Sequence, residues 1–253
     1  MSILPLSLSR SMSQAEQIDL FGTPSNPPTP AGPPPNFDPA LIPTKAIVPI
    51  PPGTYQDLAQ LAHHCNQCQR CELGASRLNA VVSRGNPKAP IMLVGEGPGQ
   101  NEDEQGLPFV GRAGQLLEKI LAAVRLDSEQ DVYICNVVKC RPPGNRAPSL
   151  EEMAACKPYL LEQIRLVDPK IILLAGATAV KGLIKDKRAI TKIRGQWLDW
   201  NGRLCMPVFH PAYLLRNPSG KPGKPKWLMW QDIQEIRRKL DEIQGVGKGD
   251  PNQ

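Results

Sequence analysis

The chain has no apolar run near the roughly 18 residues that a membrane span needs, so a membrane protein is not expected. An even cysteine count is also missing. There are seven cysteines in 253 residues, which argues against a disulfide framework and for thiols that work as ligands. Histidines number only three, so few imidazoles are open to catalysis. The first 52 residues lack any sustained apolar period and hold 13 of the 28 prolines. Such a composition cannot bury enough surface to offset ordering entropy, and residues 1–52 read as a disordered proline-rich arm. Met1 to Met12 is serine-rich and short of acids, too weak a pattern to mark a transit peptide. Acids are outnumbered by bases, giving a net charge of +6 and a pI near 9.0, which suits a polyanionic partner. A soluble cytoplasmic monomer is expected, with one domain over residues 53–243 and a flexible tail at 244–253.

What the sequence does contain centres on Pro90 to Leu117. Pro90 to Val94 is strand-like, and the glycine turn Gly95-Glu96-Gly97-Pro98-Gly99 follows at once. An acidic polar loop then leads to Phe109, set between Pro108 and Val110, and to a helical pattern over 112–125. Upstream, Thr54 and Asp57 mark a helix start, and that helix runs to about His63. Downstream, Asp131 to Val138 reads as a strand, and Ser149 with Glu152 as a capping box. Lys170 to Ala175 is a third strand, opening through Gly176 into a helix. Asn201-Gly202 is a hairpin turn, its second arm ending at His210-Pro211, and a last helix spans about 227–243. This alternation implies a mostly parallel sheet covered on both faces. Strand ends at the glycine turn, at Asn136–Cys140 and at His210 would share one edge, where open α/β sheets bind ligands.

Four cysteines near loop boundaries are candidate metal ligands: two from Cys65, Cys68 and Cys71, together with Cys140 and Cys156. Zinc and a [4Fe–4S] cluster both accept four thiolates. The 15 residues between Cys140 and Cys156 fit the larger cluster better. Cys135 and Cys205 lie inside apolar strands and read as core residues. His63 and His64 read as solvent-facing residues near a helix end.

Three motifs in order, GEGPGQNEDEQGLPFVGRAGQLL, NVVKCRPPGNRAP and FHPAYLLRNP, resemble the family-4 uracil-DNA glycosylases, an iron–sulfur group of that superfamily. The resemblance runs from about Cys68 to Leu240. It implies an α/β/α three-layer sandwich around a mostly parallel four-stranded sheet, and excision of uracil from single- or double-stranded DNA. It also implies a [4Fe–4S] cluster on Cys68, Cys71, Cys140 and Cys156, although Cys65 and Cys68 have the same spacing as Cys68 and Cys71. Glu96 and the Leu214-Leu215-Arg216 run favour this family over the broader-specificity iron–sulfur branch. A non-catalytic cluster protein is the alternative of another class.

On this resemblance Glu96, Gly97, Pro98, Phe109, Asn136, Asn145 and His210 contact the substrate. Phe109, expected on an exposed loop, stacks on the flipped base. Asn136 pairs with uracil O4 and N3–H, where cytosine shows the opposite donor pattern. His210 donates to O2 as the base departs with its charge. Other branches of the superfamily have an aspartate or asparagine where this turn has Gly97, so the Gly97 carbonyl or Glu102 is left to orient water. Leu214, Leu215 and Arg216 enter the DNA. Lys221, Lys224, Lys226, Arg141 and Arg146 meet phosphates.

Overall fold

A computed structural model describes residues 49–245. The expected arm and tail lie outside the described residues except at their inner ends, where Ile50 is already buried in the core.

The first half of the described chain runs α1 (Leu58–Asn66), α2 (Leu73–Ser76), β1 (Arg84–Gly85), β2 (Ile91–Gly95), α3 (Gln100–Gln105), α4 (Arg112–Ala122) and β3 (Val132–Asn136). The second half runs α5 (Leu150–Val167), β4 (Ile171–Ala175), α6 (Ala177–Leu183), α7 (Ile190–Ile193), β5 (Leu198–Trp200), β6 (Arg203–Val208), α8 (Pro211–Arg216) and α9 (Pro225–Gln244). Local chemistry sets several boundaries. Asp57 caps α1 by accepting from Gln60 N at 2.8 Å. Ser149 and Glu152 form the reciprocal box that opens α5, satisfying donors that a helix start leaves free.

The sheet differs from the expected one. Among the described residues it has six strands in the order β1-β3-β2-β4-β6-β5, and it is mixed. β3, β2, β4 and β6 are parallel, while β1 and β5 add antiparallel edges. The four-stranded, mostly parallel expectation is therefore corrected. β1 has only two residues, too few to leave a period-two pattern. β5 is the first arm of the Asn201-Gly202 hairpin and pairs with β6 in register, Leu198 opposite Cys205.

Side-chain alternation along the central strands divides the core in two. Met92, Val94, Tyr133, Cys135, Ile172 and Leu174 face the layer of α1, α5 and α6. Ile91, Leu93, Val132, Ile134, Ile171 and Leu173 face α4, α8 and α9. Both faces being covered, these strands are apolar along most of their length, as parallel strands in α/β sheets are. No helix among the described residues is long and apolar enough to cross a membrane.

Candidate active site

The carboxyl ends of the parallel strands open into a cavity of about 580 Å³. Glu96, Gly97, Pro98, Glu102, Phe109, Asn136, Asn145, His210 and Arg216 all line it. Residues more than a hundred positions apart in sequence thus meet at one edge of the sheet, where ligands of α/β folds bind.

The floor depends on a missing side chain. Gly95 ends β2 opposite Asn136 at the end of β3. A Cβ at Gly95 would stand 2.6 Å from Phe109 Cζ and closer still to Asn136 Oδ1. Asn136 is 2 % exposed and its Oδ1 has no partner among the described residues. A buried acceptor left unpaired costs about 1–3 kcal/mol, and the residue that carries it lines the cavity. The backbone carbonyl of Asn136 accepts from the buried Lys139 ammonium at 2.6 Å, which fixes the strand end from behind.

Phe109 was expected on an exposed loop, but it is 6 % exposed and holds a left-handed backbone, φ 56°. That conformation costs a bulky residue roughly 1–3 kcal/mol, and several contacts impose it. Arg84 donates to the Pro108 carbonyl at 2.8 Å and pairs with Glu118 and Glu129. Gly114 of α4 leaves room for the Phe109 carbonyl, against which any Cβ would collide. Glu102, at the third position of α3, accepts from Gly99 N at 3.1 Å, Val110 N at 3.0 Å and Gly111 N at 2.8 Å. Its carboxylate thus ties the glycine turn to the Phe109 loop. The stretch expected as a loop is the helix α3, and Gly106 in a left-handed conformation ends it.

His210 caps α8, its Nδ1 accepting from Ala212 N at 3.1 Å. That bond leaves the proton on Nε2. Desolvation, then the charge of Arg216, lowers the pKa of His210 to about 4, with Glu102 opposing. The ring is therefore neutral at pH 7 with one outward N–H. It stacks on Phe109, centroids 5.6 Å apart at 28°.

Sequence reasoning missed several supports. Thr178, at the start of α6, donates its hydroxyl to Glu96, while Phe209 and Tyr213 complete the cavity wall. The apolar run that ends at His210 held a usable signal for Phe209; nothing in the sequence singled out Thr178 or Arg84. Other expected contacts are not presented. Leu214 is 1 % exposed within the core, whereas Leu215 is half-buried and Arg216 exposed. Arg146 is engaged by Glu152 through two hydrogen bonds of 2.8 and 2.6 Å, and Arg141 donates to Asn145 Oδ1 at 2.7 Å. His64 is buried and meets the Tyr55 hydroxyl, so the solvent-facing expectation fails for it. His63 is exposed, its Nε2 within 3.2 Å of Gln67 Nε2.

The cysteine expectation is also corrected. Cys65, Cys68, Cys71, Cys140 and Cys156 line one cavity, but its volume is only about 10 Å³, roughly one water rather than a cluster. All seven cysteines are free thiols. Among the described residues no three His, Cys, Asp or Glu side chains are disposed to hold a metal ion. Burial pushes the Cys156 thiol up to about 12 and raises Cys65, Cys71 and Cys140. Protein donors reach three of the sulfurs, Arg70 N on Cys68 at 3.5 Å, Arg77 on Cys140 at 3.1 Å and Lys139 N on Cys156 at 3.3 Å. The residues as arranged do not fit the expected [4Fe–4S] cluster on Cys68, Cys71, Cys140 and Cys156, nor one that uses Cys65.

Comparison with known proteins agrees with the site. The model of the Uracil DNA glycosylase superfamily matches residues 82–234, from just before β1 into α9. The chain is 48% identical over 187 residues to a type-4 uracil-DNA glycosylase of Thermotoga maritima, covering 73% of this chain and 95% of that protein. A type-4 uracil-DNA glycosylase of Saccharolobus solfataricus is 44% identical over 170 residues, 64% of this chain and 79% of its own length. By contrast, a type-5 uracil-DNA glycosylase of Pyrobaculum aerophilum is 27% identical over 198 residues, 67% and 87% of the two chains. The chain belongs to the type-4 uracil-DNA glycosylases of that superfamily.

Proposed function

We infer that this chain is a DNA-repair uracil-DNA glycosylase, hydrolysing the bond between uracil N1 and deoxyribose C1′ and leaving an abasic site. The observation that carries the reading is the meeting, in one cavity, of an unpaired buried amide, a neutral imidazole and an aromatic ring. A base within a duplex is out of reach, so the nucleotide must be extruded at a cost of a few kcal/mol. Phe109 offers its ring to the extruded pyrimidine. The free Oδ1 of Asn136 suits N3–H and its amide N–H suits O4. Cytosine would set acceptor against acceptor and donor against donor, the kind of mismatch that polar sites reject strongly.

As the C1′–N1 bond breaks, its electron pair leaves with the base, water oxygen bonds to C1′, and the proton that water sheds ends on the uracil anion. His210 Nε2–H then donates to uracil O2 as negative charge accumulates there. A neutral, fixed donor needs no reorganisation at that moment. We assign Glu102 a positioning role, because its lone pairs are directed at three backbone N–H groups. Orientation of the water falls to the Gly97 carbonyl. Glu96, steadied by Thr178, and Asn145 line the sugar side, with Pro98 shaping the turn. Leu215 and Arg216 would enter the DNA while Leu214 anchors α8 beneath them. We infer action as a monomer on single- and double-stranded DNA.

The test is base release from uracil-containing strands of both kinds, with hypoxanthine and cytosine substrates alongside. Strong release of uracil alone supports the reading. Comparable release of hypoxanthine would move the protein to a broader specificity, and no release would sink the proposal.

A further inference from the structure

A second surface, outside the cavity, combines features that a DNA strand would use. The loop after Arg216 carries Lys221 and Lys224 and runs into α9, whose first turns bear Lys226, Trp227 and Trp230. Trp227 is 36% and Trp230 40% exposed. Three positions apart on a helix, they lie on one face. None of the three lysines forms an ion pair among the described residues. The nearby acids are occupied elsewhere: Asp232 is buried against Arg194, and Glu235 holds Arg238 and the Trp197 indole N–H. The face is thus cationic and aromatic, and the first two acids of α9 are already engaged.

Its position matters as much as its chemistry. Arg216 lines the cavity, and residues 217–224 lead from it directly to α9. Arg194 bridges the same two places, lying over the Phe209 ring at 6.0 Å and donating to the Leu228 carbonyl at 3.2 Å. The first turns of α9 therefore stand beside the cavity wall rather than across the molecule from it.

We propose that this face binds an unpaired stretch of DNA next to the lesion, with bases stacked on Trp227 and Trp230 and phosphates against Lys221, Lys224 and Lys226. The inference rests on the glycosylase reading for its substrate but adds a subsite that the cavity does not contain. Phosphate contacts alone would need no indole faces, and an apolar protein partner would need no uncompensated lysines. Aromatic platforms beside a basic track are how single strands are held without regard to sequence. A duplex keeps its bases stacked on one another and offers no such faces.

The test uses the full chain and uracil-free probes, an oligothymidylate and a blunt duplex of equal length. Trp227→Ala with Trp230→Ala should weaken oligothymidylate binding by about 5- to 150-fold per ring removed. Duplex affinity should barely move. Trp227→Phe with Trp230→Phe should keep most of the affinity, since a stacking face remains. Changing all three lysines to Gln should instead flatten the log–log salt dependence by about 2, at ~0.7 per phosphate contact on a single strand. Uracil release at saturating DNA should persist in the double Ala variant, and its absence in the unaltered protein would indict the glycosylase reading instead. Unchanged oligothymidylate affinity in the Ala variant overturns the proposal. So does equal loss in the Phe and Ala variants, or equal loss on the duplex.

Discussion

Glu102→Gln separates chemistry from scaffolding at the most ambiguous acid of the site. The carboxylate accepts three backbone N–H bonds, two on one oxygen and one on the other. A glutamine can keep the pair to Val110 and Gly111 by turning its carbonyl that way. Its NH₂ then faces the Gly99 N–H, donor against donor. The loss is one charge-assisted bond, about 1.5–3 kcal/mol, plus weakening of the other two as the charge goes. For a domain near 200 residues each kcal/mol moves Tm by roughly 2–4 °C, so a fall of about 4–10 °C is expected. Because the same carboxylate secures the Phe109 loop, the single-turnover rate should fall about tenfold, in step with the loosened site. Thermal unfolding and single-turnover excision, measured on the same preparation, give the answer. A variant with unaltered Tm whose rate drops a thousandfold would refute the positioning role and make Glu102 the base.

Other expectations follow from the same geometry. His210→Ala should slow single-turnover uracil release roughly 10²–10³-fold with DNA affinity retained, as for loss of one transition-state donor; a near-normal rate would remove His210 from the leaving-group role. Asn136→Asp should lower the rate on uracil and narrow the preference over cytosine, read by parallel kinetics on both substrates. The pKa of His210, about 4 in the folded chain, lies below the ordinary 6.5, so the unfolded chain binds more protons between those values. Stability should then be complete above pH 6.5 and decline toward pH 4 by up to ~3 kcal/mol, a slope that flattens in His210→Gln when urea midpoints are compared. Removal of residues 1–48, a cut that spares the buried Ile50, should leave base release from a short duplex nearly unchanged; a large loss would make the arm part of the catalytic unit.

Much of the site was readable because its signals are local. Gly95 to Gly99 follows an apolar run, Asn136 ends one, and His210-Pro211 ends another, so the parallel sheet brings them together without further information. The capping box of Ser149 and Glu152 was readable for the same reason. What stayed hidden depends on tertiary packing. Of the three acids of α3, Glu102 bonds to groups eight and nine residues ahead, and no window of sequence displays that. Leu214 and Leu215 are chemically alike; only the packing of α8 sends one into the core and the other outward. Burial of Phe109 reflects the reach of Arg84 from a strand too short to detect. The cysteine spacing was legible too, but spacing alone does not say whether thiols are ionised or how much room they enclose.

The sheet's two margins bear on how the protein behaves in a crowded cell. An edge strand exposes unpaired N–H and C=O groups and invites other chains to add on. Here one margin is only two residues long and the other only three. Arg84 occupies the first, its guanidinium pinned by Glu118 and Glu129, and a charged side chain at the margin discourages strand addition. Arg203 stands beside the second, paired with Asp168. Neither margin gives an incoming strand more than one or two ladder bonds before the pairing runs out. The same trimming that hid these strands from the sequence thus guards against self-association and fibre growth, and it should keep the protein dispersed when heat loosens the surrounding helices.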